Sequence, residues 1–194
     1  MDELGYVTPP GNLTALLQKT AEIGFEMGSE WRTGALLRAL AASKPSGRFL
    51  ELGTGTGIGT AWLLDGMDSH SSLTSIDVDT RAQSIARDSF SNDARLELVT
   101  GDALAFLSAQ APQSFDLVFA DAMPGKYEGL DLALNVVKPG GFFVVDDLLP
   151  QANWPVGHAA RVPQLLSALS LRQDFRLVPM AWASGVAIAV RVAH

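Results

Sequence analysis

The segment Phe49-Leu50-Glu51-Leu52-Gly53-Thr54-Gly55-Thr56-Gly57-Ile58-Gly59 constrains this chain more than any other. An apolar strand runs into an acid-bearing end, then into glycines spaced by two, then into a helical pattern. Glycine lacks Cβ, so such a turn adopts φ > 0 and lets a ligand lie against bare backbone. The helix that follows directs its free N–H groups to the same place. Ligands of open α/β sheets bind at the carboxyl ends of the strands, where Glu51 stands. A dinucleotide fingerprint requires G-x-G-x-x-G. Counted from Gly53 the sixth position is Ile58, and counted from Gly55 it is Thr60, so that ligand class does not fit.

Around this turn, apolar or β-branched runs alternate with helical patterns. Strands are predicted over 48–52, 73–78, 95–99, 115–120 and 141–146, with helices over 58–65, 80–91, 103–109 and 126–137 between them. This alternation predicts a doubly wound, mostly parallel sheet with right-handed crossovers. The tail breaks the rhythm: a helix over 162–171 precedes strands over 175–181 and 186–192. Trp182-Ala183-Ser184-Gly185 is too short for a crossover, so this last pair is antiparallel and the sheet has seven strands. Two amphipathic helices, 13–27 and 31–42, precede the glycine turn, bounded by Pro9-Pro10-Gly11 and Lys44-Pro45-Ser46-Gly47. The expected organisation is one domain over 1–194, with 1–45 as a helical cap.

Two further acids fall at strand ends. Asp77, in Ser75-Ile76-Asp77-Val78-Asp79, is suited to accept hydrogen bonds from both hydroxyls of a ribose, while Asp79 is placed to cap the next helix. Asp102, in Gly101-Asp102-Ala103, is suited to accept from an exocyclic amine, and also to cap a helix.

The E-x-G-x-G-x-G form resembles motif I of class I S-adenosylmethionine (SAM) methyltransferases. From about Met27 to Asp147 the chain further resembles O-methyltransferases of the caffeoyl-CoA and catechol type. The resemblance rests on the segments from Gly28-Ser29-Glu30 to Leu37, Ser75–Asp79, Gly101–Ala103, Phe115–Ala122, Lys138-Pro139-Gly140-Gly141 and Val144-Val145-Asp146-Asp147. It implies a Rossmann-like methyltransferase fold and SAM contacts from Glu51, Gly53, Thr54, Gly55, Gly57, Asp77, Val78, Asp102, Ala103 and Asp121. It also implies a divalent cation, Mg²⁺ or Ca²⁺, on Asp121, Asp146 and Asp147, and a homodimer. The chain departs from the family pattern twice. Pro124 stands where a basic Lys is usual, with Lys126 on another register, and Asp147 stands where Asn is usual. Asp121 and Asp146 are therefore the expected catalytic carboxylates. His158, in a loop after the fifth strand, is an alternative proton acceptor, and Trp154 is a candidate packing surface for a planar substrate.

Composition narrows the partners. Of 194 residues, 47% are hydrophobic and 18% charged, a globular balance. The formal net charge of −7, with no Lys/Arg cluster, argues against a nucleic acid acceptor. No apolar run has the length of a membrane span, and the acidic start does not read as a secretory signal. With no Cys, thiolate chemistry and Cys-bound zinc are excluded, which fits a cytoplasmic protein. The leading expectation is SAM-dependent methylation of a small-molecule hydroxyl. An aminopropyl-transferring synthase and a non-catalytic SAM-binding domain are the alternatives.

Overall fold

A computed structural model describes residues 3–154 and 156–193. Seven strands form one sheet: β1 (Arg48–Leu52), β2 (Ser72–Asp77), β3 (Leu96–Thr100), β4 (Phe115–Ala120), β5 (Val137–Val145), β6 (Phe175–Met180) and β7 (Val186–Arg191). Their order is β3-β2-β1-β4-β5-β7-β6. Strands β1 to β5 pair in parallel, and β7 pairs antiparallel with both β5 and β6. The expected parallel sheet with its antiparallel hairpin is thus present.

The helices are α1 (Leu13–Glu22), α2 (Trp31–Ala42), α3 (Ile58–Gly66), α4 (Thr80–Ser89), α5 (Ala103–Ala109), a short kinked turn α6 (Met123–Lys126), α7 (Leu130–Asn135) and α8 (His158–Ser170). They cover the two faces of the sheet, and the period-2 alternation of the strands sorts the core accordingly. Phe49, Leu117 and Phe119 pack with Leu16, Leu37, Trp62 and Leu63 on one face. Leu50, Leu52, Val118 and Val145 pack with Leu107, Leu134, Leu165 and Leu169 on the other. In β1, Glu51 lies on the same face as Phe49, so the alternation itself drives this acid inward, to 1% exposure.

Several boundaries differ from the sequence expectation. Helix α1 stops at Glu22 and does not run to residue 27. Gly24 takes φ +66, and Gly24 N and Phe25 N donate back to Ala21 O and Thr20 O, at 3.0 and 3.2 Å, which ends the helix in a left-handed cap. The chain is then free to run across the glycine turn as a loop over 25–30. Of the single helix expected over 126–137, only 130–135 forms a helix, α7: Lys126 ends α6, Gly129 at φ +68 starts α7, and Val137 already belongs to β5. Strand β5 starts four residues early, with a register shift against β4 between Phe115 and Leu117 that accommodates Gly140 at φ +74. Among the described residues, no helix is long and apolar enough to cross a membrane.

Candidate active site

A cavity of about 470 Å³ opens at the carboxyl ends of β1, β2, β4 and β5. Its floor is the glycine turn; Asp77, Val78 and Asp79 form one side, and Asp121 to Pro124, Lys126, Asp146 and Asp147 the other. The loop over 25–30 and residues Gln151, Asn153, Trp154 and His158 close over it, tied to one another by Asn153 Nδ2 donating to Glu26 O at 3.0 Å.

The turn is shaped by its glycines and by a buried acid beneath it. Gly57, at φ +93, begins α3, and a Cβ there would meet Ala86 Cβ at 2.8 Å. Gly59 leaves the space that the Glu51 carboxylate occupies. Glu51 accepts hydrogen bonds from the hydroxyls of Ser75, at 2.5 Å, and Thr60, while its Oε1 has no partner among the described residues. Ser75 also meets Thr54 at 2.7 Å, and buried Gln83 donates to Thr54 Oγ1 at 3.1 Å. Burial pushes the Glu51 carboxyl up from 4.5 to about 7, against the lowering effect of its two hydroxyl donors. Glu51 therefore braces β1, β2 and α3 from below and does not line the cavity.

The two acids after β2 reach different groups. Asp77 faces the cavity; its Oδ2 accepts from Gly55 N at 2.7 Å and its Oδ1 from Asp79 N at 2.8 Å. Asp79 caps α4 through Arg81 N and Ala82 N, at 2.9 and 3.0 Å. Beside them Val78 is 72% exposed and Met27 is 66% exposed, both on the cavity wall. Exposed apolar side chains around a polar anchor suit a planar group lying between them. Glycine backbone, a carboxylate for hydroxyls and an apolar slot together fit SAM.

Asp102 and Ala103 do not line this cavity. The Asp102 carboxylate is turned onto its own helix, accepting from Leu104 N at 2.7 Å and Ala105 N at 3.4 Å, the cap that the sequence also allowed. Gly57 likewise acts on the backbone path and not on the wall.

Asp121, Asp146 and Asp147 do converge on the cavity, but with a cation of the chain's own among them. Lys126 is 2% exposed and its Nζ donates to Asp146 O at 2.9 Å. Asp146 Oδ1 already accepts from the Ser184 hydroxyl and from Asp147 N. Ser29 Oγ donates to Asp121 Oδ2 at 2.8 Å. Burial, and then the neighbouring Asp146, holds the Asp121 carboxyl well above the usual carboxylate range, partly offset by Lys126. Burial raises Asp146 to about 6. Among the described residues, no three His, Cys, Asp or Glu side chains are arranged to share a metal ion. Part of the oxygen capacity of the expected ligand trio is committed to internal donors, and a buried ammonium stands beside it.

Above the acids, His158 stacks on Trp154 with centroids 4.3 Å apart and meets Tyr127 edge-on at 5.1 Å. His158 Nε2 lies 2.9 Å from Tyr127 Oη and 3.3 Å from Asp147 O. Burial, and then Lys126, lowers its pKa, which favours the neutral ring. Among the described residues, its Nδ1 and Trp154 Nε1 are buried without hydrogen-bond partners. Ser184 and Gln83 were not picked out by sequence reasoning, and Ser29 and Lys126 were named there without a role in the site. Each acts across a long loop closure, and a lone Ser or Gln carries no local signal.

Comparison with known proteins places this geometry. A family described as a methyltransferase domain matches residues 50–148. A protein of Mycobacterium avium, described as a candidate O-methyltransferase, is 32% identical over 190 residues, covering 91% of this chain and 86% of that one. A Mycolicibacterium vanbaalenii protein of the same description is 38% identical over 117 residues, 58% of this chain and 52% of that protein, so the chain spans about half of that relative. Among solved structures, the O-methyltransferase TomG from Streptomyces achromogenes, in complex with SAM, superposes with a TM-score of 0.81 at 24% identity over 96% of this chain and 92% of that chain. The O-methyltransferase from Bacillus cereus, in complex with S-adenosylhomocysteine, gives 0.82 at 20% identity over 95% and 92%. The chain belongs to the class I SAM-dependent methyltransferases.

Proposed function

We propose that this chain transfers the methyl group of SAM to a hydroxyl oxygen of a small molecule bound beside Asp121, Asp146 and Asp147. The observation that carries this reading is the sharing of one cavity by the Gly53–Gly55 turn with Asp77 and by the acid cluster. The donor pocket and a set of proton acceptors thus face the same space. We take residues 1–194 as a single catalytic unit, with 1–45 as its cap.

SAM, when bound, supplies an electrophilic methyl group on a sulfonium. Gly53, Thr54 and Gly55 would offer backbone to its amino acid portion, Asp77 would accept from its ribose hydroxyls, and Val78 and Met27 would flank its base. The acceptor oxygen forms the O–CH₃ bond as the S–CH₃ bond breaks and leaves its electron pair on sulfur. The hydroxyl proton passes to Asp121 or Asp146. A carboxylate raised toward neutrality is a stronger base than an exposed one, which suits these two acids to that step. Most of the rate comes from holding the two reacting atoms in line, because the donor is already activated. Trp154 and His158 form a flat roof that favours a planar, aromatic acceptor.

The test is incubation of the full chain with SAM and a panel of phenols, catechols and hydroxy acids, with S-adenosylhomocysteine and product read by mass spectrometry. One added methyl on oxygen is the expected result. Tight SAM binding with no turnover across the panel would favour a binding domain. Turnover of putrescine with decarboxylated SAM would favour an aminopropyl transferase.

A further inference from the structure

The family resemblance implies a divalent cation among the acids at the ends of β4 and β5, and this chain puts a side chain there. Lys126 reaches the site because α6 is not a regular helix. Pro124, at φ −62 and ψ 139, and Gly125, at φ +80, swing the backbone so that residue 126 points under the acids. The usual Lys position is lost to Pro124, and the same two residues deliver another ammonium nearby. Burying a lone ammonium costs several kcal/mol, so a 2% exposed Lys requires compensating charge. The Asp146 carbonyl accepts from it, and the Asp121 and Asp146 carboxyls lie close enough to feel its charge. Among the described residues, the only hydrogen bond from Nζ goes to Asp146 O, at 2.9 Å. An ammonium has three N–H donors. Two remain, on a residue that lines the cavity.

We propose that Lys126 is the resident cation of this active site: its ammonium takes the place of a divalent metal and donates to the acceptor oxygen, so that methyl transfer needs no metal ion. The proposal rests on the reading of the cavity as a methyl-transfer site. It differs from a basic-lysine role, since Lys126 only donates to the acceptor oxygen and the hydroxyl proton goes to a carboxylate. A fixed cation near the acids also repels a second one: two like charges at close range in a partly buried site oppose one another by several kcal/mol. The same contact to oxygen lets the site hold one acceptor hydroxyl in line, without the paired oxygens that a chelated metal demands. Single phenols, and not only catechols, are therefore suitable acceptors.

The experiment has two arms. In the first, Mn²⁺ is titrated into the wild-type chain, Lys126→Met and Lys126→Arg, and followed by electron paramagnetic resonance. Wild type and Lys126→Arg should show no saturable site, whereas Lys126→Met should bind Mn²⁺ at least about tenfold more tightly, having lost the internal repulsion. Micromolar Mn²⁺ binding by the wild type would overturn the proposal, and that measurement needs no variant to fold. In the second arm, turnover of whichever panel acceptor the wild type methylates is measured with EDTA and with Mg²⁺. Equal rates are expected, and a rate abolished by EDTA would overturn the proposal. Lys126→Met should lower kcat by roughly a hundredfold while SAM affinity stays within about twofold, the loss of one charge-assisted hydrogen bond in a buried site. Unchanged kcat in Lys126→Met would overturn it. If no panel acceptor is methylated, the functional reading fails by itself, and the Mn²⁺ arm still decides whether Lys126 is the site's cation.

Discussion

Asp77 and Asp79, two residues apart and chemically identical, do different work because of what their carboxylates can reach. Asp79 meets two free N–H groups of α4, whereas Asp77 meets Gly55 N and open cavity. Asp77→Ala removes the acceptor for the ribose and loosens the turn, so SAM affinity by calorimetry should fall roughly 10- to 100-fold. Asp79→Ala should leave that affinity unchanged and cost about 1 kcal/mol of stability, the worth of an N-cap. Glu51 makes a different prediction. Its carboxyl is raised from 4.5 to about 7 in the folded chain, so the folded state holds the proton more tightly than the unfolded one. Its contribution to stability is full below pH 4.5 and is lost as pH rises toward 7. The difference corresponds to on the order of 3 kcal/mol. Asp146, raised to about 6, adds a loss of the same sign. Denaturant titrations should show wild-type stability falling across this window, and Glu51→Gln should make that fall shallower without abolishing it.

At the scale of elements, the glycine turn ties the sheet to α3 and α4. Gly57 has a positive φ, and a Cβ there would press on Ala86 and Phe90. Gly57→Ala should therefore destabilise the chain by about 1–3 kcal/mol, with a matching drop in melting temperature. Strands β1 and β4 and helix α5 were legible to the residue, because apolar alternation, a capping Asp and flanking turn residues agreed there. The end of α1 was not. Ile23, Phe25 and Met27 continue an apolar pattern past the point where Gly24 turns the backbone left-handed, and periodicity alone does not register such a break. The same blindness ran the helix expected from residue 126 through Gly129, whereas α7 begins only at Leu130.

Over the whole molecule, the strand order brings the ends of β1, β2, β4 and β5 side by side, so four separate acidic or glycine-rich segments become one cavity. That much follows from right-handed crossovers and was legible beforehand. What was hidden is how the loops complete it. Ser29 reaches Asp121 from 92 residues away, and Ser184 reaches Asp146 from the hairpin turn 38 residues on. Asn153 latches one loop to the other over the cavity. Lys126 was visible as a departure from the family register, but its burial among the acids depends on the φ of Gly125, which composition does not reveal. The account as a whole stands on the turn and Asp77 being the donor pocket. A crystal structure of the chain with S-adenosylhomocysteine tests this most directly. We expect the ligand to lie along Gly53–Gly55, with both ribose hydroxyls on the Asp77 carboxylate and its sulfur facing Asp121. Density for the ligand elsewhere, or a ribose that leaves Asp77 bonded to Gly55 alone, would contradict it.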